Sequence, residues 1–148
     1  DLSKYREIVF TGLGEPTLRL DVVLAVTRWL KNQGLRVRLD TNGHAALINP
    51  KLDVIAELKK AGLDSVSVSL NAESEEKYNK LCRPVHKNAY RAMLDFVRGA
   101  KEAGISTRVT VVKIPEIDVE KCRKVSEELG SDFHIRLLSE AASQEIRE

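Results

Sequence analysis

"GLDSVSVSLNA", residues 62–72, decides the fold. From Ser65 to Asn71, polar and apolar side chains alternate strictly, which is the period of a β-strand with two unlike faces. One face carries Val66, Val68 and Leu70, and the other carries Ser65, Ser67, Ser69 and Asn71. The pattern predicts a strand that packs on one side and turns a polar surface to the other.

The same unit recurs along the chain as a polar helix end, a glycine and then a strand: "KNQGLRVRL", "KKAGLDSVSV", "KEAGISTRVTV" and "EELGSDFHIRL". Gly34, Gly62, Gly104 and Gly130 are placed to end helices, where a positive φ is expected. The predicted strands are residues 7–13, 35–41, 65–71, 106–113 and 133–138. Strands that alternate with helices predict a parallel sheet with right-handed crossovers.

Helical periodicity supports this organisation in three segments. Their predicted packed faces are Val22, Val26, Trp29 and Leu30; Tyr90, Met93, Leu94 and Val97; and Val119, Cys122, Val125 and Leu129. Asp21, Ser74 and Asn88 are the candidate N-caps. Trp29 is expected to pack, and Cys122 to lie in the core.

Two further strands also have one polar face. "RVRLDTN" sets arginine, aspartate and asparagine against valine, leucine and threonine, and "FHIRLL" sets His134 and Arg136 against apolar neighbours. A doubly wound sheet would read as nearly continuous apolar runs, and an ordinary closed barrel would fill its interior with Val, Ile and Leu. We therefore predict an α/β fold, a partial (β/α) TIM-like barrel with helices outside and a wide polar interior. A half-covered sheet with a solvated face is the alternative.

Composition narrows the class of protein. The 148 residues are 43% hydrophobic and carry a net charge of +2 from 24 basic and 22 acidic side chains, which favours one domain over residues 1–148. There is no membrane-length apolar run, no visible signal peptide and no block of like charge to suggest a nucleic-acid surface. Cys82 and Cys122 are far apart, so a reducing, cytoplasmic location is expected.

"GLGEP", residues 12–16, joins the first strand to the first helix. It lacks the third glycine of a dinucleotide fingerprint, and a carboxylate at a helix start would repel phosphate. Pro16 favours an extended Glu15, which predicts that the strand edge continues through the carboxylate. Bare backbone at Gly12 and Gly14 beside Glu15 suits a cation such as an ammonium, although a simple strand-ending turn is the alternative.

Other polar residues follow strands at the edge where parallel α/β folds bind ligands. Asp40, Thr41 and Asn42 end the second strand, before an Asn-Gly turn pair. Ser69 and Asn71 end the third strand and can bond hydroxyl or carboxylate groups. Arg108 lies inside the fourth strand, where it needs an anion; this is either a ligand carboxylate or a structural partner such as Asp40 or Glu15. His134 can face the interior.

Together these segments resemble the radical S-adenosylmethionine (SAM) superfamily over nearly the whole chain, and within it the TatD-associated radical SAM proteins. "GLGEP" is similar to the Gly-Gly-Glu motif of the second strand, with Leu13 replacing the first of the usual Gly-Gly pair. "LDTNG" resembles the third strand of glycyl-radical activating enzymes, and "VSVSLNA" with "LCRP" resembles the fourth-strand ribose motif. The predicted strands would then be strands two to six of a six-strand partial barrel.

The resemblance implies roles for the candidate residues. Gly14 and Glu15 would hold the ammonium of S-adenosylmethionine, and Arg108 would lie near its carboxylate. Ser69 and Asn71 would meet the ribose hydroxyls or the carboxylate, while Asp40 and Thr41 would form a polar floor. The implied function is formation of a 5′-deoxyadenosyl radical for hydrogen abstraction from an unidentified substrate, with an electron donor such as flavodoxin or ferredoxin.

The resemblance also implies a [4Fe–4S] cluster on a Cys-x3-Cys-x2-Cys loop, which nothing in this sequence matches. We therefore expect a fragment that lacks the cluster loop, with its cluster cysteines preceding Asp1, and that is inactive alone. A fragment of a radical SAM RNA methyltransferase is one alternative, disfavoured by the near-neutral charge and by the lack of a well-placed methyl-carrying cysteine. A partial barrel that binds a nucleoside or serves as a scaffold, without catalysis, is the other.

Overall fold

The computed structural model describes residue 2 and residues 4–137. Its strands are β1 (Glu7–Phe10), β2 (Arg36–Thr41), β3 (Ser65–Ser69), β4 (Ser106–Lys113) and β5 (Asp132–Leu137). Its helices are α1 (Leu20–Asn32), α2 (Ala45–Ile48), α3 (Val54–Ala61), α4 (Glu75–Cys82), α5 (Ala89–Glu102) and α6 (Val119–Leu129), with a 3₁₀ turn over Pro16–Arg19. Within this part of the chain, no helix is long and apolar enough to cross a membrane.

The five strands form one parallel sheet in the order β1-β2-β3-β4-β5. Because each strand lies beside the next one in sequence, right-handed crossovers place all the connecting helices on the same face. This confirms the predicted α/β partial barrel.

The helix-covered face holds the core. Val37, Leu39, Val68, Val109 and Val111 on the strands are fully buried. They meet helix side chains such as Leu58, Met93 and Val97, which are equally buried. Each fully buried side chain of this size contributes roughly 1.5–3 kcal/mol, so this layer holds the sheet against its helices.

The opposite face, which we call the lumen face, is polar and is ordered by the strand register. Asp40, Ser67, Arg108 and Asp132 are aligned across β2 to β5 in one row. Ser69, Thr110 and His134 form the next row towards the carboxyl ends of the strands. The alternation read from the sequence therefore brings side chains from four strands into one polar interior.

Two strands are shorter than predicted. β1 ends at Phe10 rather than residue 13, and residues 11–14 form an exposed loop before Glu15, so the strand does not continue through the carboxylate. Glu15 itself is extended, with φ −96° and ψ 115°, as its position before proline predicts. β3 ends at Ser69 because Asn71 adopts a left-handed conformation with φ 61°. The predicted end of β5 at Leu138 lies outside the described residues.

The start of α1 also differs from the sequence prediction. Asp21 is not its cap: the 3₁₀ turn leads straight into the helix, Glu15 caps that turn, and Asp21 pairs with Arg19 on the surface. Val22 and Trp29 are exposed, because the buried face of α1 is formed instead by Leu20, Val23, Leu24, Thr27 and Leu30.

The other helix predictions fare better. Asn88 is at the N-cap position of α5, as predicted, but it adopts a left-handed conformation and its side chain makes no capping bond. Ser74 does cap α4, where its hydroxyl accepts a bond from the Lys77 amide. Cys122 is fully buried in the core, as predicted. The four helix-ending glycines all have positive φ, between 61° and 91°.

Candidate functional site

Two adjoining cavities lie at the carboxyl edge of the sheet. The rim cavity, about 290 Å³, is lined by Thr11, Gly12, Gly14, Glu15, Asp40, Thr41, Asn42, Ser69 and Arg136. The lumen cavity, about 90 Å³, shares three of these residues and is lined by Asp40, Ser67, Ser69, Arg108, Thr110, His134 and Arg136. The shared lining shows that the two cavities are parts of one polar site.

Glu15 is the most highly bonded side chain of the rim cavity. Its Oε1 accepts bonds from the Thr17 amide at 3.0 Å, the Thr17 hydroxyl at 2.7 Å and the Thr41 hydroxyl at 2.7 Å. Its Oε2 accepts a bond from the Asn42 amide at 2.8 Å. The carboxylate thus ties the loop after β1 to the end of β2 and is held in one orientation.

The two carboxylate oxygens differ in what they can still accept. A carboxylate has about four lone-pair positions, and Oε1 already receives three donors while Oε2 receives one. Oε2 therefore retains capacity for a cationic donor in the rim cavity. Thr41 is buried, and its hydroxyl both donates to Glu15 and accepts the Gly43 amide at 3.1 Å, so it supports Glu15 rather than presenting a free hydroxyl.

An ion-pair network lies below Glu15 on β1 and β2. Arg38 donates from Nε to Asp40 Oδ1 at 2.9 Å and from an Nη atom to Glu7 Oε2 at 2.7 Å. One guanidinium thus serves two carboxylates, and Asp40 reaches the cavity as a partner of Arg38.

Arg108 is differently placed, because no carboxylate satisfies it among the described residues. Its Nε donates to Ser67 Oγ at 3.0 Å, and no described carboxylate lies within 4.0 Å of it. The alternative in which Arg108 pairs with Asp40 or Glu15 is therefore not what the structure shows. Asp40 pairs with Arg38, and Glu15 is bonded to threonines and backbone amides. The Arg108 guanidinium is left with capacity for an anion.

Asn71 lies apart from the rim cavity, beside a third space of about 360 Å³ that we call the side cavity. Its amide Nδ2 lies 3.7 Å from Cys82 Sγ, and burial raises the pKa of that thiol. Glu15 and Asn42 line both the rim and side cavities, so the two are adjacent.

His44 and Tyr78 form the inner wall of the side cavity. The imidazole Nε2 and the phenol oxygen are 2.8 Å apart, and both residues are buried. Burial lowers the pKa of His44, against the attraction of Glu15, and burial raises the pKa of Tyr78. Gly43 fits this loop to α5: its φ is 79°, and a Cβ there would come within 2.9 Å of the Met93 side chain.

The predicted site residues therefore separate into three groups. Gly12, Gly14, Glu15, Asp40, Thr41, Asn42 and Ser69 line the rim cavity; Arg108 and His134 line the lumen cavity; Asn71 lines the side cavity. The sequence prediction missed Thr17, Arg38 and Arg136. The Glu-Pro-Thr spacing and the Arg-x-Asp pair on one strand face were the available signals for the first two.

Comparisons with known proteins bear on the family and the fold of this chain. The family model of the radical SAM superfamily matches residues 2–129. An uncharacterized protein of Methanocaldococcus jannaschii is 31% identical over 131 residues, covering 88% of this chain and 43% of that protein. A probable GTP 3′,8-cyclase of Saccharolobus islandicus is 32% identical over 133 residues, covering 86% of this chain and 40% of the relative.

Among solved structures, coproporphyrinogen III oxidase from Escherichia coli, a radical SAM enzyme, superposes with a TM-score of 0.65. The match covers 94% of this chain and 34% of that protein at 16% identity, so it supports the fold alone. The chain spans about two fifths of the length of the curated relatives described above. The closer assignment to TatD-associated proteins stays a prediction. Because the family model matches most of the chain, from residue 2 to residue 129, this chain belongs to the radical SAM superfamily.

Proposed function

We propose that this chain forms the S-adenosylmethionine-binding part of a radical SAM enzyme whose substrate is unidentified. The observation that carries the proposal is a single polar site with an anchored carboxylate, Glu15, at one end and Arg108 at the other, an arginine with no carboxylate partner in the described part of the chain. The methionine part of the cofactor carries an ammonium and a carboxylate, which complement these two charges. When bound beside a reduced [4Fe–4S] cluster, S-adenosylmethionine supplies a 5′-deoxyadenosyl radical for hydrogen abstraction.

The donor and acceptor groups of the chain fit this cofactor. Glu15 Oε2 and the backbone around Gly14 would accept bonds from the ammonium, and the Arg108 guanidinium would donate to the carboxylate. Ser69 would bond a ribose hydroxyl from the wall common to both cavities. Asn71 would join it only where the ligand extends into the side cavity, which Glu15 and Asn42 connect to the rim.

The residues of this chain do not fit the iron–sulfur cluster. The sequence has two cysteines, and Cys122 is buried in the core. Over residues 4–137, no group of three His, Cys, Asp or Glu side chains is arranged to hold a metal ion. The proposal therefore assigns cofactor binding to this chain and assigns the cluster ligands to residues outside this sequence.

The test is equilibrium dialysis of the protein against S-adenosylmethionine, methionine and adenosine separately. Because the methionine part would engage Glu15 and Arg108 while the ribose engages Ser69, S-adenosylmethionine should bind at least tenfold more tightly than methionine or adenosine alone. No detectable binding of S-adenosylmethionine at about 1 mM, a free energy weaker than about −4 kcal/mol, would contradict the proposal. So would adenosine binding equally well, because the methionine end would then contribute nothing.

A further inference from the structure

The wall formed by β4 and β5 carries a second arginine that the proposed cofactor site does not use. Arg136 lines both the rim and lumen cavities. It is opposite Val112 in the strand register, whereas Arg108 is opposite Asp132. Four residues of strand span roughly 13 Å, so the backbone of Arg136 lies near the mouth of the site and that of Arg108 lies deeper.

Arg136, like Arg108, has no carboxylate within 4.0 Å among the described residues. The one carboxylate that lines both cavities with it is Asp40, and Asp40 is already bonded to Arg38 at 2.9 Å. Arg136 is an exposed residue, so an anion that enters the cavity can reach its guanidinium.

Two further polar side chains line the same part of the wall. His134 and Thr110 are opposite each other in the register, and both line the lumen cavity with Arg136. The cavity wall therefore offers a guanidinium, a hydroxyl and an imidazole to one ligand. Planar, forked donation of this kind is suited to the oxygens of a phosphate or carboxylate group.

We propose that Arg136, with His134 and Thr110, binds an oxyanion group of the substrate, a phosphate or a carboxylate, at the mouth of the lumen. This inference rests on the proposed function, because it assumes that the substrate enters the site beside the cofactor. It assigns Arg108 to the cofactor and Arg136 to the substrate, so the two arginines should be separable by experiment.

The test is calorimetric titration of the protein with inorganic pyrophosphate and, separately, with succinate, at low ionic strength and in the presence of saturating S-adenosylmethionine. We expect at least one probe to bind, and Arg136→Gln to weaken that binding about tenfold, the size of one charge-assisted interaction. Arg136→Lys should keep part of the affinity. In both variants, the affinity for the probe should fall more than the affinity for S-adenosylmethionine, because Arg136 lines the rim of the site that the cofactor would occupy.

The matched control is Arg98→Gln, which removes one positive charge from an exposed pair with Asp95 on α5. It should leave binding of the probe unchanged. Preference for pyrophosphate would identify a phosphate group, and preference for succinate a carboxylate. Equal loss in the control, competition between the probe and S-adenosylmethionine, or no loss in Arg136→Gln would overturn the inference. Failure of the unaltered protein to bind S-adenosylmethionine would overturn the proposed function instead.

Discussion

The two ends of the candidate site differ in how far the protein satisfies its own charges. At the β1–β2 end, Glu15 accepts four hydrogen bonds and Arg38 bridges two carboxylates. At the β4–β5 end, Arg108 has one described side-chain partner, the hydroxyl of Ser67. The first end is fixed before any ligand arrives, whereas the second holds charge that a ligand would neutralise.

This difference predicts which substitutions should change the free energy of unfolding and which should change only the affinity for the cofactor. A carboxylate held by several donors contributes to the folded state, and removing it leaves those donors without partners. An arginine that faces a cavity without a counter-charge contributes little or costs free energy. Removing the Glu15 carboxylate should therefore reduce both stability and cofactor affinity, while substitutions at the β4–β5 end should reduce affinity alone.

Glu15→Gln should have the largest effect. Oε1 receives the Thr17 amide and Oε2 receives the Asn42 amide, and neither backbone N–H can rotate away. Whichever way the glutamine is oriented, its NH₂ group must face one of them. We expect a loss of about 3 kcal/mol in the free energy of unfolding, measured by urea denaturation, and at least tenfold weaker binding of S-adenosylmethionine.

Glu7→Gln is the matched control for that substitution. Glu7 is bonded to the Arg38 side chain alone, and an amide oxygen can still accept that bond. It should cost about 1 kcal/mol and leave cofactor affinity unchanged. Equal losses in the two variants would show that the clamp on Glu15 has no special role.

Arg108→Gln should weaken S-adenosylmethionine binding about tenfold, because it removes a charge-assisted contact to the carboxylate. The free energy of unfolding should change by less than about 0.5 kcal/mol, because the lost partner is one serine hydroxyl. Dialysis binding and urea denaturation on the same preparation measure both quantities. A large loss of stability with unchanged binding would reverse the contrast between the two ends.

Much of the fold was predictable, because the alternation of apolar and polar residues predicts both where the strands lie and which of their faces is polar. The serines of β3 and the polar side chains of β2 and β5 already indicate a polar lumen in the sequence. The extent of β1 was not predictable, because Glu15 bonds across to Thr41 and Asn42, and the chain leaves the sheet at Phe10 to make that contact. Long-range hydrogen bonds of this kind have no local signature.

The sequence predicted which residues line the candidate site, but it did not predict which of them bond to one another. Arg108 was identified as a charge in need of an anion, but only the structure shows that Arg38 takes Asp40 away from it. Trp29 illustrates the opposite error. Its spacing fits an apolar helix face. The buried face of α1 is formed by other side chains, namely Leu20, Val23, Leu24, Thr27 and Leu30, and Trp29 remains 54% exposed.

Thr41→Val should have a smaller effect than Glu15→Gln, because it removes one of the four bonds to the carboxylate and keeps the volume. We expect about 1 kcal/mol less stability and a two- to fivefold loss of cofactor affinity, with Thr41→Ser restoring both. Thr27→Val is the control: Thr27 is fully buried on α1, and its hydroxyl has no partner. That variant should be neutral or stabilising. A loss like that of Thr41→Val would attribute the effect to placing a methyl where a hydroxyl packs, rather than to the lost hydrogen bond.

The smallest expected effect is a pH dependence of the free energy of unfolding that is caused by His44. His44 lines the side cavity together with Glu15. Burial lowers its pKa below the ordinary 6.5, against the attraction of Glu15. The unfolded chain therefore binds a proton at this position before the folded chain does. The stability associated with neutral His44 is complete above pH 6.5 and falls as the pH drops towards the pKa of the folded state, by less than about 1.4 kcal/mol per pH unit.

His44→Gln should remove this slope between pH 5 and 7. The exposed His86→Gln should retain it in reduced form, because His86 also lowers the pKa of His44. Urea denaturation across that pH range measures both variants. The same measurement on Glu15→Gln tests whether the Glu15 carboxylate influences the pKa of His44. Because Glu15 raises the pKa of His44, its loss should lower that pKa further and extend the decline in stability to more acidic pH. NMR titration of the imidazole C–H signal would measure the change directly. If the pKa of His44 were unchanged in Glu15→Gln, the charge of Glu15 would have no effect on His44.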